Sequence, residues 1–154
     1  MTPMRSLTRY LVISVFITCI AWADSSDKPI TVATREQVLT KLNSLRDELP
    51  AQVALDLAVA VRAIERQCDD QSSGVSKEER DGLFVALIDG RTPRQIILTA
   101  ASLMLAESAE FSASGAAIDG SKLSGEAFAR WRHLTSIRSM GLGFVKAYAQ
   151  PRVP

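Results

Sequence analysis

The sequence predicts an all-α fold, a single small bundle of about five helices after an N-terminal signal peptide. Apolar residues recur at spacings of three and four along most of the chain, which is the period of a buried helix face. Residues typical of helix N-caps stand ahead of several of these stretches. No stretch alternates apolar and polar residues over the length of a strand. Hydrophobic residues make up 47% of the 154 residues, which excludes intrinsic disorder and suffices for the core of one domain.

The first segment has the three parts of a secretory signal peptide in order. Arg5 and Arg9 form a positive n-region, residues 10–20 form an apolar run, and residues 21–23 (Ala-Trp-Ala) form a cleavage site. Cleavage after Ala23 is favoured over retention as an anchor, because a bilayer span needs about 20 apolar residues. It is also favoured over lipid attachment at Cys19, which lacks a small residue before it. The protein is therefore predicted to be periplasmic or secreted.

The rest of the chain divides into a polar arm, residues 24–33, and a helical domain, residues 34–150. The arm is expected to be extended or a loose tail.

Loss of the signal peptide leaves 16 Lys and Arg against 17 Asp and Glu, so the net charge changes from +1 to −1. A nucleic-acid binder would carry a strong basic excess and is excluded. Cys68 becomes the one cysteine of the mature chain, predicted to be buried rather than available for intermolecular pairing.

Pro50 separates the first two predicted helices. Thr34 and Gln37 have the spacing of a capping box at the start of the first helix, and the second helix covers residues 51–68. The core-facing stripes of the two helices are Val38, Leu42, Leu45 and Leu49, and then Leu57, Val61, Ile64 and Cys68. The second helix is expected to be the more buried, because its apolar surface is widened by Val53, Ala54, Ala58 and Ala60.

Two further helices begin at capping boxes, Ser76 with Glu79 and Thr92 with Gln95. The buried face predicted for the third helix consists of Leu83, Phe84, Leu87 and Ile88. The fourth helix contains an apolar run over residues 96–106. This run is too short to cross a bilayer, so the fourth helix is predicted to be the central core helix.

The last helix is predicted to follow a flexible loop (residues 112–121), to begin at Ser121 or Ser124, and to run to about residue 148. Glycine has low helical propensity, so a kink or break is expected at the two interior glycines, residues 141 and 143. The residues expected to share its core-facing side are Leu134, Ile137, Gly141, Phe144 and Tyr148.

Candidate catalytic residues are few. His133 is the single histidine, so a zinc site or a Ser-His-Asp arrangement has little to build on, and a surface histidine is favoured. Phosphate-binding glycine loops are absent, and neither a cofactor nor a metal is predicted. A rival interpretation is a small envelope hydrolase that uses Asp69, Asp70 or Asp89, which requires two of these acids in one apolar cleft.

The most informative polar feature is the charge of the C-terminal segment. Residues 125–154 carry a net charge of +4, whereas residues 24–124 carry −5. Two interpretations stay open: a surface for an anionic partner or for lipid headgroups, and an amphipathic helix whose basic side pairs with the acidic body. The candidate partner-binding residues are Arg130, Trp131, Arg132, Arg138 and Tyr148.

A motif at residues 88–97 runs Ile-Asp-Gly-Arg-Thr and continues to Ile-Ile, with Gly90 at a helix C-cap. It resembles a family of small, uncharacterised bacterial lipoprotein-like and periplasmic helical proteins. Residues 34–64 are similar to the opening pair of helices in that family, and the match covers about residues 26–104. The resemblance implies a small helical envelope protein with no known activity or catalytic residues. This chain departs from the family in lacking a good lipidation cysteine and in having an extra C-terminal helical segment.

Together these observations predict an exported, non-enzymatic helical protein that binds a partner protein or an anionic ligand in the periplasm. The carboxylate hydrolase is one alternative. The other is a structural protein that lies peripherally on a membrane through its basic side.

Overall fold

The computed structural model describes residues 27–70, 74–109 and 120–150. The predicted signal peptide and nearly all of the predicted loop over residues 112–121 lie outside these ranges. Within them the chain forms five α-helices and no strand, which confirms the all-α bundle. The helices are α1 (Arg35–Leu45), α2 (Ala51–Asp70), α3 (Lys77–Ala86), α4 (Pro93–Glu107) and α5 (Gly125–Tyr148), with a short 3₁₀ turn at Gly120–Lys122.

The helices do not pack in chain order. α1 packs against α3, α3 against α2, α2 against α4, and α4 against α5. The largest interfaces are those of α4 with α2 and with α5, which confirms α4 as the central helix. α1 and α2 follow one another in the chain but make little direct contact, so a space opens between them. No helix in the described ranges is long and apolar enough to cross a bilayer.

Most of the predicted core is confirmed. The stripe of α2 is buried throughout, including Cys68, whose thiol has its pKa raised by burial. On the α1 side, Leu42 is only half-buried. Leu83 was expected in the core of α3, and this is wrong: it is 55% exposed. α3 presents Phe84 and Ile88 to the core, and Leu83 projects about 100° away from Phe84 around the helix.

The capping boxes predicted for α3 and α4 both form. At α1, Thr34 accepts from the Gln37 N–H as predicted, but the Gln37 side chain accepts from the N–H of Ala33 instead of Thr34. The C-cap expected at Gly90 lies at Leu87. Gly90 instead ends the turn after α3, where its φ of +71° suits a glycine.

α5 begins after Ser124 and is continuous to Tyr148, so a break at its glycines is wrong, whereas a kink there stays a prediction. Gly141 is buried against α4. A Cβ added there would lie 3.2 Å from the Ala101 carbonyl oxygen and 3.2 Å from Leu105 Cγ. This glycine allows α4 and α5 to approach closely, and that packing outweighs its low helical propensity.

Residues 27–33 are attached to the helical domain, mainly through Ile30 and Val32. The Ile30 N–H donates to the Arg91 carbonyl at 2.8 Å, and the Gly90 N–H donates to the Ile30 carbonyl at 2.9 Å. The Val32 N–H donates to Asp89 Oδ1 at 2.9 Å. Ile30 and Val32 are buried in the same core as the helices. The Asp-Gly-Arg part of the motif, residues 89–91, therefore binds the arm through backbone and carboxylate hydrogen bonds.

Candidate functional site

The space between α1 and α2 is a groove of about 720 Å³ that is open to solvent along one side. The turn that joins the two helices closes one end. At the other end Arg35, in the first turn of α1, reaches across to Glu65 on α2. The walls between these ends are mainly apolar, formed by Leu39, Leu42, Leu49, Ala54, Leu55 and Ala58.

Two leucines project from opposite walls of the groove. Leu39 is 46% exposed and Leu55 is 59% exposed, the largest value among the large apolar side chains of the described ranges. Ala51, Ala54 and Ala58 line the α2 wall between them, and their small side chains leave room for a close approach to the α2 backbone. A concave apolar surface bordered by exposed leucines is typical of an interaction site.

An ion-pair cluster around Arg35 holds α1, α2 and α3 together at the end of the groove. The guanidinium lies 2.6 Å from Glu65 Oε1, 2.9 Å from Asp81 Oδ1 and 3.3 Å from Asp69 Oδ2. Its Cζ atom lies 5.2 Å from the ring centre of Phe84, within cation–π range. The hydrogen bond to Glu65, and then those to Asp81 and Asp69, raise the pKa of Arg35 above its already high ordinary value.

The acids of the hydrolase interpretation have other contacts. Asp69 pairs with Arg35, and Asp89 accepts the arm N–H of Val32. Asp70 has a side chain that is 69% exposed and lies 3.9 Å from Arg66. None of the three lines the α1–α2 groove. Within the described ranges no three His, Cys, Asp or Glu side chains are grouped closely enough to hold a metal ion.

Tyr148, one of the five predicted partner-binding residues, makes internal contacts. Its hydroxyl donates to Asp56 Oδ2 on α2 at 2.5 Å. Burial, and then this hydrogen bond, raise the pKa of the phenol above its ordinary value. Arg94 at the start of α4 donates to the Tyr148 carbonyl at 2.7 Å and to the Gln150 carbonyl. These contacts fix the C-terminal end of α5 to α2 and α4.

The three predicted arginines of α5 lie on different sides of the helix. Arg130 and Arg132 are exposed and Arg138 is half-buried. Residues two apart on a helix are separated by about 200°, so Arg130 and Arg132 point in nearly opposite directions. None of the three forms an ion pair with a residue in the part of the chain that the structure describes. Pairing of these three arginines with the acidic body is therefore not found among the described residues.

Trp131 is held in place by its neighbours. Its ring stacks on Phe128 with centroids 5.9 Å apart and an interplanar angle of 23°. The ring also covers Gly120, where an added Cβ would lie 2.5 Å from the indole. Beside it, on the outer side of α5, is a shallow depression of about 580 Å³ lined by Trp131, Arg132, Thr135, Ser136, Ser139 and Met140.

His133 is a surface residue, as predicted, with 44% of its side chain exposed. Its Nε2 lies 3.1 Å from Glu107 Oε1 at the end of α4. Arg66 on α2 donates to the other oxygen of Glu107 at 3.2 Å. Glu107 thus links α2, α4 and α5. It lies 26 positions from His133 and 41 positions from Arg66 in the chain, so no local pattern in the sequence predicts these two contacts.

Sequence reasoning missed the groove. A signal was present, because Leu39 lies off the main stripe of α1 and Ala51, Ala54, Leu55 and Ala58 form a second apolar stripe on α2. The sequence analysis counted Ala54 and Ala58 toward a widened buried surface of the second helix, whereas Ala58 is exposed in the open groove.

No family model, no curated protein and no solved structure matches this chain. The fold and the site therefore define the class of protein by themselves: a small all-α bundle with an open apolar groove between its first two helices. The family resemblance of residues 26–104 stays a prediction.

Proposed function

We propose that this protein is an exported, non-enzymatic binding protein of the bacterial envelope, periplasmic or secreted, whose α1–α2 groove receives an amphipathic helix of a partner protein. The observation that carries this proposal is the groove itself, with its apolar walls and the exposed Leu39 and Leu55 on either side. The signal-peptide pattern of residues 1–23 supports the location.

The shape of the groove favours a helix over a small ligand. Sites for small molecules bury about 70–90% of the ligand surface, which a groove open along one side does not do. A helix with an apolar stripe would bury that stripe between the leucines and leave its polar side in water. The groove extends along α2 from Ala51 to Glu65, about 21 Å or four helical turns.

The rim of the groove supplies charge of both signs. Arg46 and Asp47 lie at the closed end, and Arg62 and Glu65 lie near the other end. Charges at the edge of an apolar interface contribute more to orientation and selectivity than to affinity. The polar edges of the incoming helix are therefore expected to carry complementary charges that set its position along the groove.

Crosslinking from the groove tests this function. The photoreactive amino acid benzoylphenylalanine is placed at position 39, at position 55, or at position 83, a control site on α3 that is equally exposed and outside the groove. The full chain is expressed in its native cells. We expect the same protein adduct from positions 39 and 55, none from position 83, and crosslinked peptides from one helical segment of the partner.

A groove-blocking substitution sharpens the experiment. Ala58→Arg fills the α2 wall at an exposed position, so the circular dichroism spectrum should be unchanged while the adduct falls at least tenfold, the effect of disrupting an interface centre. Leu83→Glu should leave the adduct unchanged. Equal crosslinking from position 83, or an adduct that survives Ala58→Arg, would contradict the proposal.

The two alternative functions have less support. The acids of the hydrolase are each engaged in separate contacts with Arg35, the arm or solvent. A structural protein lying flat on a membrane needs its basic side chains on one side, whereas Arg130 and Arg132 project to nearly opposite sides of α5.

A further inference from the structure

The shallow depression on the outer side of α5 shares no residue with the α1–α2 groove. Arg132, Ser136 and Ser139 follow one another at spacings of four and three, so they form one stripe along the helix. Trp131 and Met140 border this stripe. The depression therefore combines a guanidinium, the hydroxyls of Thr135 and the two serines, and apolar side chains on a surface about two turns long.

The polar groups of this stripe are available to a ligand. A hydroxyl inside a helix commonly donates to the carbonyl four residues earlier, as Thr135 does to Trp131 at 2.8 Å. Ser136 and Ser139 make no such bond, and Arg132 has neither a hydrogen bond nor an ion pair from its guanidinium, within the described ranges. All three residues are exposed.

The aromatic border is rigid. Trp131 is stacked on Phe128 and seated on Gly120, so little conformational freedom remains to be lost when a ligand contacts the indole. Met140, at the other border, is 39% exposed and has a flexible, polarizable side chain that adapts to the shape of a ligand.

The combination selects a class of ligand. A carboxylate or phosphate accepts two parallel hydrogen bonds from a guanidinium. Serine hydroxyls both donate and accept, which suits sugar hydroxyls, and an aromatic side chain offers an apolar surface to the C–H side of a sugar ring. We propose that this depression binds an anionic sugar polymer. A polymer fits because the depression is shallow and runs along about two turns of α5 without enclosing a ligand.

Binding of defined polymers tests the proposal with protein purified from cells that express the full 154-residue chain. Polygalacturonate carries both sugar rings and carboxylates, dextran carries sugar rings alone, and polyglutamate carries carboxylates alone. We expect polygalacturonate to bind with quenching of Trp131 fluorescence, and the other two to bind at least tenfold more weakly. Salt should weaken the binding because part of it is electrostatic. A Trp22→Phe background ensures that the measured fluorescence comes from Trp131 alone, because the chain has two tryptophans.

Substitutions at exposed positions locate the site. Arg132→Gln should lower the affinity for polygalacturonate about tenfold, the size expected for a charge-assisted hydrogen bond. Ser136→Ala with Ser139→Ala should lower it several-fold. Lys77→Gln removes an exposed cation of α3 that lines neither the groove nor the depression, and it should have no effect. Failure to bind polygalacturonate, equal binding of polyglutamate, or an equal loss in Lys77→Gln would each overturn the proposal. None of these outcomes bears on the helix-binding groove, which the crosslinking experiment tests separately.

Discussion

The two halves of α5 belong to one continuous helix but have opposite environments. From Leu134 to Tyr148 the helix is packed into the body, and Ile137, Gly141 and Phe144 are buried. From Gly125 to His133 nearly every residue is exposed.

The cause of this difference is the length of the helix beneath α5. α4 has 15 residues and α5 has 24, about 22 Å against 36 Å. The start of α4 contacts the end of α5 through Arg94, and the end of α4 contacts His133 through Glu107. The two helices are therefore antiparallel, and the first two turns of α5 project past the end of α4. A helix that extends past the end of the helix it packs on exposes side chains all around its axis, which makes them available to bind other molecules.

The largest expected effect comes from replacing a phenylalanine by alanine in each half of α5. Phe144→Ala should lower the free energy of unfolding by about 3–4 kcal/mol, because Phe144 is 7% exposed and its removal leaves a cavity. Phe128→Ala, at a position that is 37% exposed, should cost no more than about 1 kcal/mol for the lost stacking on Trp131. Urea unfolding of both variants gives the two values. Equal losses would show that the two halves are packed alike.

The next prediction compares alanine substitutions at the two glycines in the packed half of α5. Gly141→Ala should destabilise the protein by about 1–2 kcal/mol, because the added Cβ meets the backbone oxygen of Ala101 at 3.2 Å. Gly143→Ala has no atom within 4 Å of its added Cβ and should stabilise the protein by about 0.5–1 kcal/mol through helical propensity. Thermal unfolding should move in opposite directions for the two variants. A gain in both would mean that α4 and α5 can separate at no cost.

The smallest effect concerns Tyr148 and depends on pH. The folded state raises the pKa of Tyr148, whereas the unfolded chain titrates near pH 10. Above pH 10 the unfolded state therefore releases its proton first, and the stability that Tyr148 contributes falls as pH rises, by at most about 1.4 kcal/mol per unit. Tyr148→Phe should cost about 1–2 kcal/mol at pH 8 and less at pH 11. Urea unfolding at both values measures this, and a cost that is the same at pH 8 and pH 11 would contradict it.

Sequence reasoning succeeded where the signal lies within a few residues. The capping boxes of α3 and α4 follow from residues three positions apart, and the stripe of α2 follows from helical spacing alone. It failed where the answer depends on which helix lies opposite. Leu83 belongs to an apolar cluster in the sequence but faces solvent, and Ala58, counted toward the buried surface of α2, is exposed because α1 packs mainly on α3.

The candidate sites divide in the same way. The sequence offered Trp131 and Arg132 as candidates, because an aromatic residue beside a basic one is visible in the chain, and both line the depression on α5. It also placed Tyr148 with them, although the Tyr148 hydroxyl is bonded to Asp56, 92 residues earlier. The groove between α1 and α2 was not predicted, since a space between helices is a property of their packing.

The sequence by itself therefore determined the all-α class, the approximate positions of the helices, the capping boxes of α3 and α4 and the apolar stripe of α2, because these depend on hydrogen bonds and periodicity within about one helical turn. Only the tertiary structure decided three features: α1 packs on α3 and not on α2, the arm hydrogen-bonds to the backbone at Gly90, and α5 projects beyond the end of α4. Those outcomes come from competition among apolar surfaces far apart in the chain. Such surfaces have no fixed partner until the whole core is assembled.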